Sequence, residues 1–128
     1  SGPGWVLVGD AFGFLDPLYS SGILLALKSG ELAGDAVAEA LVASDLSKER
    51  LGSWSDEFVK GMERMRRLVV EFYDGFNFGK FVKRHPHLKG HITDMLIGDL
   101  FNEHVDEIVA PLDEMRREEE QKRSELLQ

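Results

Sequence analysis

The sequence predicts a mainly α-helical protein with one short N-terminal strand, a long buried helix after it, and a helical C-terminal extension. Three observations predict this class. A short apolar run rich in valine lies near the N-terminus, at residues 5–8. Beyond it, apolar residues recur every three or four positions, which is the spacing of a helix face. Glycine and proline interrupt that spacing at 75–79, 86 and 111, so the extension is expected to consist of several helices.

The predicted strand covers residues 4–8 and ends at Gly9, which leaves Asp10 at its carboxyl end. In open α/β sheets, ligands bind outside the carboxyl ends of strands, where a carboxylate can accept hydrogen bonds from ligand hydroxyls. A single strand has unpaired N–H and C=O groups on both sides. We therefore expect residues 4–8 either to fray or to pair with another chain, which includes self-association through this strand.

The first helix is predicted from Gly22 to Val42, and its start is apolar on nearly every side, as in a buried helix. Small residues predict a thin side on this helix. They are Ser29, Gly30, Ala33, Gly34 and Ala36. Because glycine inside a helix costs about 1 kcal/mol relative to alanine, we expect a close neighbour there. Packing against a sheet is favoured over contact with a cofactor.

A second helix is predicted from about residue 48 to 76. Its apolar stripe consists of Leu51, Trp54, Phe58, Met62, Met65, Val69, Phe72 and Phe76, while Glu71 is among the polar residues of its other side. The stripe favours packing against another helix, and a wall of a substrate pocket is the alternative. Further helical blocks follow at 80–84 and from His91, Pro111 is expected to kink or start a helix, and an exposed helix is predicted over 113–128. Its expected i to i+4 ion pairs are Glu118–Lys122 and Glu119–Arg123.

Composition excludes several functions. The formal charge of −8 argues against nucleic-acid binding, and the absence of cysteine removes disulfides and thiol chemistry. No apolar run approaches the ~18 residues of a membrane span, so a cytoplasmic protein is expected. His85, His87 and His91, with Asp94 nearby, have partial metal-ligand spacing, but a solvated loop is favoured and no metal site is predicted.

Residues 9–34, GDAFGFLDPLYSSGILLALKSGELAG, resemble the C-terminal FAD-contacting motif of flavin-dependent halogenases and related FAD monooxygenases of the hydroxybenzoate hydroxylase superfamily. The motif of these enzymes is GDA-x-x-F-x-DP-x-x-SxG-x-x-LA. The resemblance implies that residues 1–44 are the last strand, turn and helix of an FAD-binding α/β domain. Residues 45–128 would then be a helical C-terminal extension.

The resemblance also implies roles for individual residues. Asp10 would hydrogen-bond the ribityl chain of FAD, Pro17 would shape the turn beside the isoalloxazine ring, and amides at the helix start would face the pyrimidine end of the flavin. The implied cofactor-binding residues are Gly9, Asp10, Asp16, Pro17, Ser20, Ser21, Gly22 and Ile23. In a halogenase, Ser21 and Gly22 would also bind the halide. No catalytic residue is assigned. From the residues alone, Asp16 is favoured as a turn-forming residue, and Phe12 and Phe14 as core residues rather than flavin-stacking ones.

The chain lacks the G-x-G-x-x-G turn that grips the FAD pyrophosphate, and also the W-x-W-x-I-P segment of halogenases. We therefore expect a C-terminal fragment of an FAD-dependent oxidoreductase, which alone has no complete cofactor site and no catalysis. Its expected partners are the N-terminal FAD-binding region and a small electron-rich substrate, such as an aromatic compound. An isoprenoid reductase of the geranylgeranyl type and a non-catalytic helical interaction module are the alternatives.

Overall fold

The computed structural model describes residues 1–126, and these residues form a mainly helical chain. The helices are α1 (Gly22–Val42), α2 (Lys48–Leu51), α3 (Ser55–Tyr73), α4 (Phe78–Arg84), α5 (Lys89–Ile97) and α6 (Val109–Leu126). Short 3₁₀ turns lie at Gly9–Ala11, Pro17–Tyr19, Pro86–Leu88 and Glu103–Ile108. The chain divides into two compact units, Ser1–Val69 and Val70–Gln128.

The predicted N-terminal strand is wrong. Among residues 1–126 the ladder-type pairing is one isolated antiparallel bridge between Gly2 and Trp5. Leu7 and Val8 are exposed, although Val8 keeps extended backbone angles (φ −136°, ψ 166°). A β-branched run favours an extended backbone, but it becomes a strand only where a neighbouring strand pairs with its N–H and C=O groups. The described chain supplies no such neighbour.

Helix α1 has the predicted boundaries, but the prediction that it is buried is wrong for its first turns. Of the apolar residues at its start, Leu25 is buried, whereas Ile23 is 77% and Leu27 70% exposed. The small residues that were predicted to form one thin side of α1 lie on two different faces, one buried and one exposed. Ser29, Ala33 and Ala36 are buried. A Cβ atom built on Gly30 or Gly34 would have no neighbour within 4 Å among the described residues.

The long second helix is interrupted at Gly52, which separates α2 from α3. The Gly52 amide donates to the Lys48 carbonyl, and the Gly52 carbonyl accepts from both the amide and the hydroxyl of Ser55, at 3.0 and 2.8 Å. These bonds end one helix and begin the next within four residues. The indole N–H of Trp54 also donates to the Leu51 carbonyl at 3.0 Å, which keeps the tryptophan beside α2.

Most of the predicted apolar stripe is buried, including Trp54, Phe58 and Met65. Two positions differ from the prediction, because Phe72 is 49% exposed and Glu71 is 2% exposed. Glu71 is buried as a charged residue because an arginine from α6 pairs with it, as described below. A single-helix pattern could not predict this, since the arginine is 45 residues away in sequence.

In the second unit, glycine and proline divide the helices largely where they were predicted to. Gly75 has φ +79° after α3, and α4 ends before His85, whose φ of −124° and ψ of 67° are non-helical, as expected before Pro86. Pro111 lies in the first turn of α6, where a missing N–H has no cost, so it begins a helix. The buried apolar residues of this unit are Phe76, Phe81, Leu88, Ile92, Met95, Leu100, Val105, Ile108, Leu112 and Met115.

The predicted exposed tail helix is confirmed only in part. Met115 is buried, and α6 continues to Leu126, whereas the last two residues of the prediction, Leu127 and Gln128, lie outside the described residues. The ion pairs differ too, because Glu118 pairs with Arg84 at 2.7 Å and Glu119 with Lys80 at 3.1 Å. The acidic side chains of α6 therefore connect α6 to α4. Within residues 1–126, no helix is both long enough and apolar enough to cross a bilayer.

Candidate functional site

The residues from Gly9 to Gly13 form a tight turn, which we call the acidic turn because it carries Asp10. Gly9 has φ +58°, a left-handed conformation that glycine adopts without a steric penalty. The amides of Phe12 and Gly13 both donate to the Gly9 carbonyl, at 3.0 and 3.2 Å. The chain therefore reverses immediately after its extended segment, and the Asp10 side chain lies on the exposed part of the turn.

The acidic turn is attached to α1 through Gly9. The Gly9 amide donates a 2.8 Å hydrogen bond to the hydroxyl of Ser29, which in turn donates to the Ala26 carbonyl at 2.9 Å. Ser29 is completely buried and Gly9 is half-buried, so the serine end of this bond is shielded from water. A Cβ on Gly9 would lie 3.5 Å from the Ala26 Cβ, which shows how closely the turn approaches the helix.

This attachment relates the acidic turn to the start of α1. Gly22, Ala26 and Ser29 are spaced four and three residues apart, so they lie along one face of the helix. Gly9 contacts the second and third of these positions, and Gly22 lies one helical turn, about 6 Å, before the first contact. A Cβ on Gly22 would meet nothing within 4 Å among residues 1–126. Of the predicted site residues, Gly9 thus packs against the face of α1 that also includes Gly22.

The start of α1 leaves amide groups available. Ser21 is the N-cap residue and its side chain makes no capping hydrogen bond. Ser21 is 5% exposed, whereas Gly22 and Ile23 are exposed. Ser20, just before them, has φ +54°, an unusual conformation for a residue with a side chain. The first amides of a helix have no partner within the helix and carry partial positive charge, so they favour an anionic group.

Asp16 and Pro17 have a local structural role. The Asp16 carboxylate accepts a hydrogen bond from the Leu18 amide at 3.2 Å and caps the 3₁₀ turn that begins at Pro17. This confirms Asp16 as a turn-forming residue. Tyr19 ends that turn, and partial burial raises its pKa above the usual value of 10.0.

Of the two phenylalanines of the motif, Phe12 is half-buried and packs on core residues, so its predicted core position is confirmed only in part, whereas Phe14 is exposed. The Phe12 ring lies 5.2 Å from the Trp54 ring and 5.1 Å from the Phe58 ring, measured between centroids. Phe14 is 67% exposed, so its predicted core position is wrong. A Cβ on Gly13 would lie 2.6 Å from the terminal methyl of Met62, so glycine allows the turn to approach α3 closely.

Sequence reasoning did not identify Ser29 and Trp54 as residues that support the acidic turn. Ser29 stood out only as a small residue of α1, and Trp54 only as part of an apolar stripe. A serine on a helix face of small residues and a phenylalanine in the motif were visible in the sequence. No local pattern, however, links Gly9 to Ser29, 20 positions later, or Phe12 to Trp54, 42 positions later.

A second polar cluster lies in the other unit, between α5 and the turn Glu103–Ile108. His104 contacts Asp94 at 3.0 Å and His91 contacts Glu107 at 3.4 Å, with 5.3 Å between the two imidazole centroids. No group of three or more metal-ligating side chains converges within residues 1–126. These contacts therefore join α5 to the turn as two reciprocal histidine–carboxylate pairs.

The described residues form a helical segment with an anchored acidic turn at the side of a long helix, and this segment is similar to parts of known enzymes. The chain is 31% identical over 102 residues to a 1H-pyrrole-2-carbonyl-[peptidyl-carrier protein] chlorinase of Pseudomonas fluorescens, covering 79% of this chain and 22% of that protein. It is 31% identical over 101 residues to a corresponding brominase of Pseudoalteromonas luteoviolacea, covering 79% and 25%. It is also 29% identical over 119 residues to a digeranylgeranylglycerophospholipid reductase of Methanocaldococcus jannaschii, covering 73% and 30%.

These similarities confirm the resemblance inferred from the motif. The chain is similar to halogenating enzymes and to digeranylgeranylglycerophospholipid reductases. It spans 22 to 30% of the length of the relatives given above. No family model and no solved structure matches it.

Proposed function

We propose that this chain is the C-terminal part of a larger FAD-dependent oxidoreductase of the halogenase or monooxygenase type, in which it supplies contacts to the ribityl chain and the flavin ring. The observation that carries the proposal is the position of the acidic turn on the same face of α1 as the open start of that helix. The similarity to halogenating enzymes over 79% of the chain supports the same class.

The residues present are suitable for these contacts. Asp10 is exposed, and among residues 1–126 its carboxylate takes part in no hydrogen bond or ion pair, so it is available to accept a hydroxyl of the ribityl chain. Gly9, Asp16 and Pro17 would shape the two turns around it, and the amides near Ser20–Ile23 would approach the pyrimidine end of the ring. When bound, FAD would supply the redox chemistry, for which no side chain of this segment is a substitute.

In a halogenase, the start of α1 would also hold the halide at Ser21 and Gly22. The 21-residue length of the helix and the free amides at its start favour an anion there. Gly22 is the exposed member of the pair and has no neighbour where a side chain would be, so the anion would approach from its side. The substrate would be a small electron-rich aromatic compound, as the pyrrole-2-carbonyl group named for two relatives suggests.

The N-terminal FAD-binding region of the larger enzyme is the proposed partner of the apolar surface of the first unit. That surface includes Trp5, Leu7, Val8, Ile23 and Leu27, all of which are exposed. An extended segment with unpaired backbone groups and an apolar helix face are the two features that a sheet with a covering helix would bury. Self-association through the same surface is the competing arrangement. The molecular mass of the 128-residue chain in solution tests it, because a dimer would support self-association.

A reductase of isoprenoid double bonds is the second candidate, because digeranylgeranylglycerophospholipid reductases of several archaea also match the chain, one of them at 48% identity over 48 residues. Product formation that depends on chloride or bromide favours the halogenase, whereas reduction of a prenyl chain without halide favours the reductase. A protein that purifies without flavin and binds none on addition would instead support the helical interaction module.

Substitution of Asp10 by alanine in the flavoprotein that contains this chain tests the proposal. Loss of a charge-assisted hydrogen bond of about 1.5 to 3 kcal/mol corresponds to FAD binding roughly 10- to 150-fold weaker, measured by quenching of flavin fluorescence. Asp35→Ala, an exposed carboxylate of α1, is the matched control and should bind FAD as the unaltered protein does. Unchanged affinity in Asp10→Ala contradicts the proposal. So does nanomolar FAD binding by the 128-residue chain alone, which lacks a pyrophosphate-binding turn.

A further inference from the structure

The acidic turn is held from two sides. On one side, the Gly9 amide bonds to Ser29 of α1 at 2.8 Å. On the other side, the Phe12 ring packs on Trp54 and Phe58, at centroid distances of 5.2 and 5.1 Å. Asp10 lies between these two attachments, one residue after the first and two residues before the second. The position of its carboxylate therefore depends on both.

The second attachment is well supported by its surroundings. Trp54 and Phe58 are 7% and 1% exposed, their rings lie 5.6 Å apart, and the Trp54 indole is held by its bond to the Leu51 carbonyl. Next to Phe12, Gly13 lies so close to Met62 that a Cβ would displace the methionine methyl. The turn thus rests on an aromatic base formed by α3 and by the residue just before it.

We propose that Phe12 is a positioning residue for Asp10, so that the helical extension, and not only α1, sets the geometry of the flavin contact. This inference rests on the proposed function, since it concerns the carboxylate that would bind the ribityl chain. With both attachments, the backbone between Gly9 and Phe12 has little freedom to rotate. With only the Gly9 bond, the turn becomes a hinge, and an error of about 1 Å in the position of a contacting group is enough to weaken its interaction strongly.

The attachment itself can be tested in the 128-residue chain by hydrogen exchange. Phe12→Ala should raise amide exchange in residues 9–16 several-fold, while Phe12→Leu, which keeps an apolar side chain, should restore most of the protection. Phe76→Ala is the matched control, because it removes a 9% exposed phenylalanine of the other compact unit. Equal exchange of residues 9–16 in Phe12→Ala and in the unaltered chain overturns the inference.

A double-substitution cycle in the flavoprotein tests the effect on Asp10. Phe12→Ala should weaken FAD binding about tenfold, Phe12→Leu much less, and Phe12→Ala should have no further effect once Asp10 is alanine. A purely structural role predicts the same loss in both backgrounds, and that result overturns the inference. If Asp10→Ala itself leaves FAD binding unchanged, the proposed flavin contact is wrong. The exchange experiment then still reports whether Phe12 holds the turn.

Discussion

The backbone amide of Gly9 donates a hydrogen bond to the buried hydroxyl of Ser29, 20 residues later in the sequence, at 2.8 Å. This bond joins the turn that carries Asp10 to the second and third turns of α1. In the described chain no strand pairs with the residues before this turn, so the bond to Ser29 is one of the contacts that hold the turn in place.

Replacement of Ser29 by alanine removes the acceptor of the Gly9 amide. Because the hydroxyl is fully buried, we expect the free energy of unfolding of the 128-residue chain to fall by about 1 to 2 kcal/mol, measured by urea denaturation. Ser53→Ala, at an exposed serine, is the control and should change stability by no more than about 0.5 kcal/mol. A Ser29 variant as stable as the control would show that the bond contributes nothing to the fold.

Replacement of Gly30 by alanine should stabilise the 128-residue chain. Nothing in the described structure occupies the space of the new methyl group, and alanine is favoured over glycine inside a helix by about 1 kcal/mol. Thermal unfolding measures the gain, and Gly34→Ala is expected to behave in the same way. If the chain is part of a larger flavoprotein, as proposed, a loss of stability for the same substitutions there would indicate that this face of α1 is covered in the larger protein. A loss in the 128-residue chain would contradict the exposed position of the glycines.

Replacement of Arg116 by alanine should destabilise the second unit. The Arg116 guanidinium bonds to Glu71, Asp74 and Glu120, at 3.2, 2.7 and 3.2 Å, and the Glu71 side chain is only 3% exposed. Removal of the arginine takes a charge-assisted hydrogen bond from a buried carboxylate, for which we expect a loss of about 2 kcal/mol in urea denaturation. Arg117→Ala, an exposed neighbour, should cost about 0.5 kcal/mol or less. Equal losses for the two variants would rule out a special role for the Glu71 contact.

The Arg84–Glu118 pair should make stability depend on pH. Hydrogen bonds from the Arg84 guanidinium, at 2.7 and 2.8 Å, hold the pKa of Glu118 below its usual value of 4.5. Because the folded protein binds this proton less readily than the unfolded chain, the pair stabilises the fold above about pH 4.5, and the contribution is lost as the pH falls further. Between about pH 5 and 3, the melting temperature of the unaltered chain should therefore fall more steeply than that of Glu118→Gln.

The control for this pair is Glu103→Gln, at an exposed glutamate in the turn before α6. Its melting temperature should fall with pH as steeply as that of the unaltered chain. If the Glu118→Gln chain shows the same pH profile as the unaltered one, the Arg84 contact does not persist in solution.

Much of the helical architecture was predictable from local signals. The limits of α1, the breaks near Gly75 and Pro86, and the start of a helix two residues before Pro111 follow from backbone chemistry that acts within a few residues. The strand prediction failed because an apolar run of this kind forms a strand only if another strand pairs with it, and otherwise stays an exposed extended segment. No local pattern in the sequence shows whether such a neighbour is present. The burial of Glu71 was missed for the same reason, since its partner Arg116 lies 45 residues away in sequence.

For the candidate site, the sequence by itself determined the residue types: a glycine that reverses the chain, a carboxylate after it, and an uncapped helix start. Only the tertiary structure decided that Ser29 and Trp54 hold the acidic turn and that Gly9 and Gly22 lie along one face of α1. The physical reason is that dihedral preferences and helix caps act over a few residues. Hydrogen bonds between distant residues and aromatic packing exist only after the chain has folded.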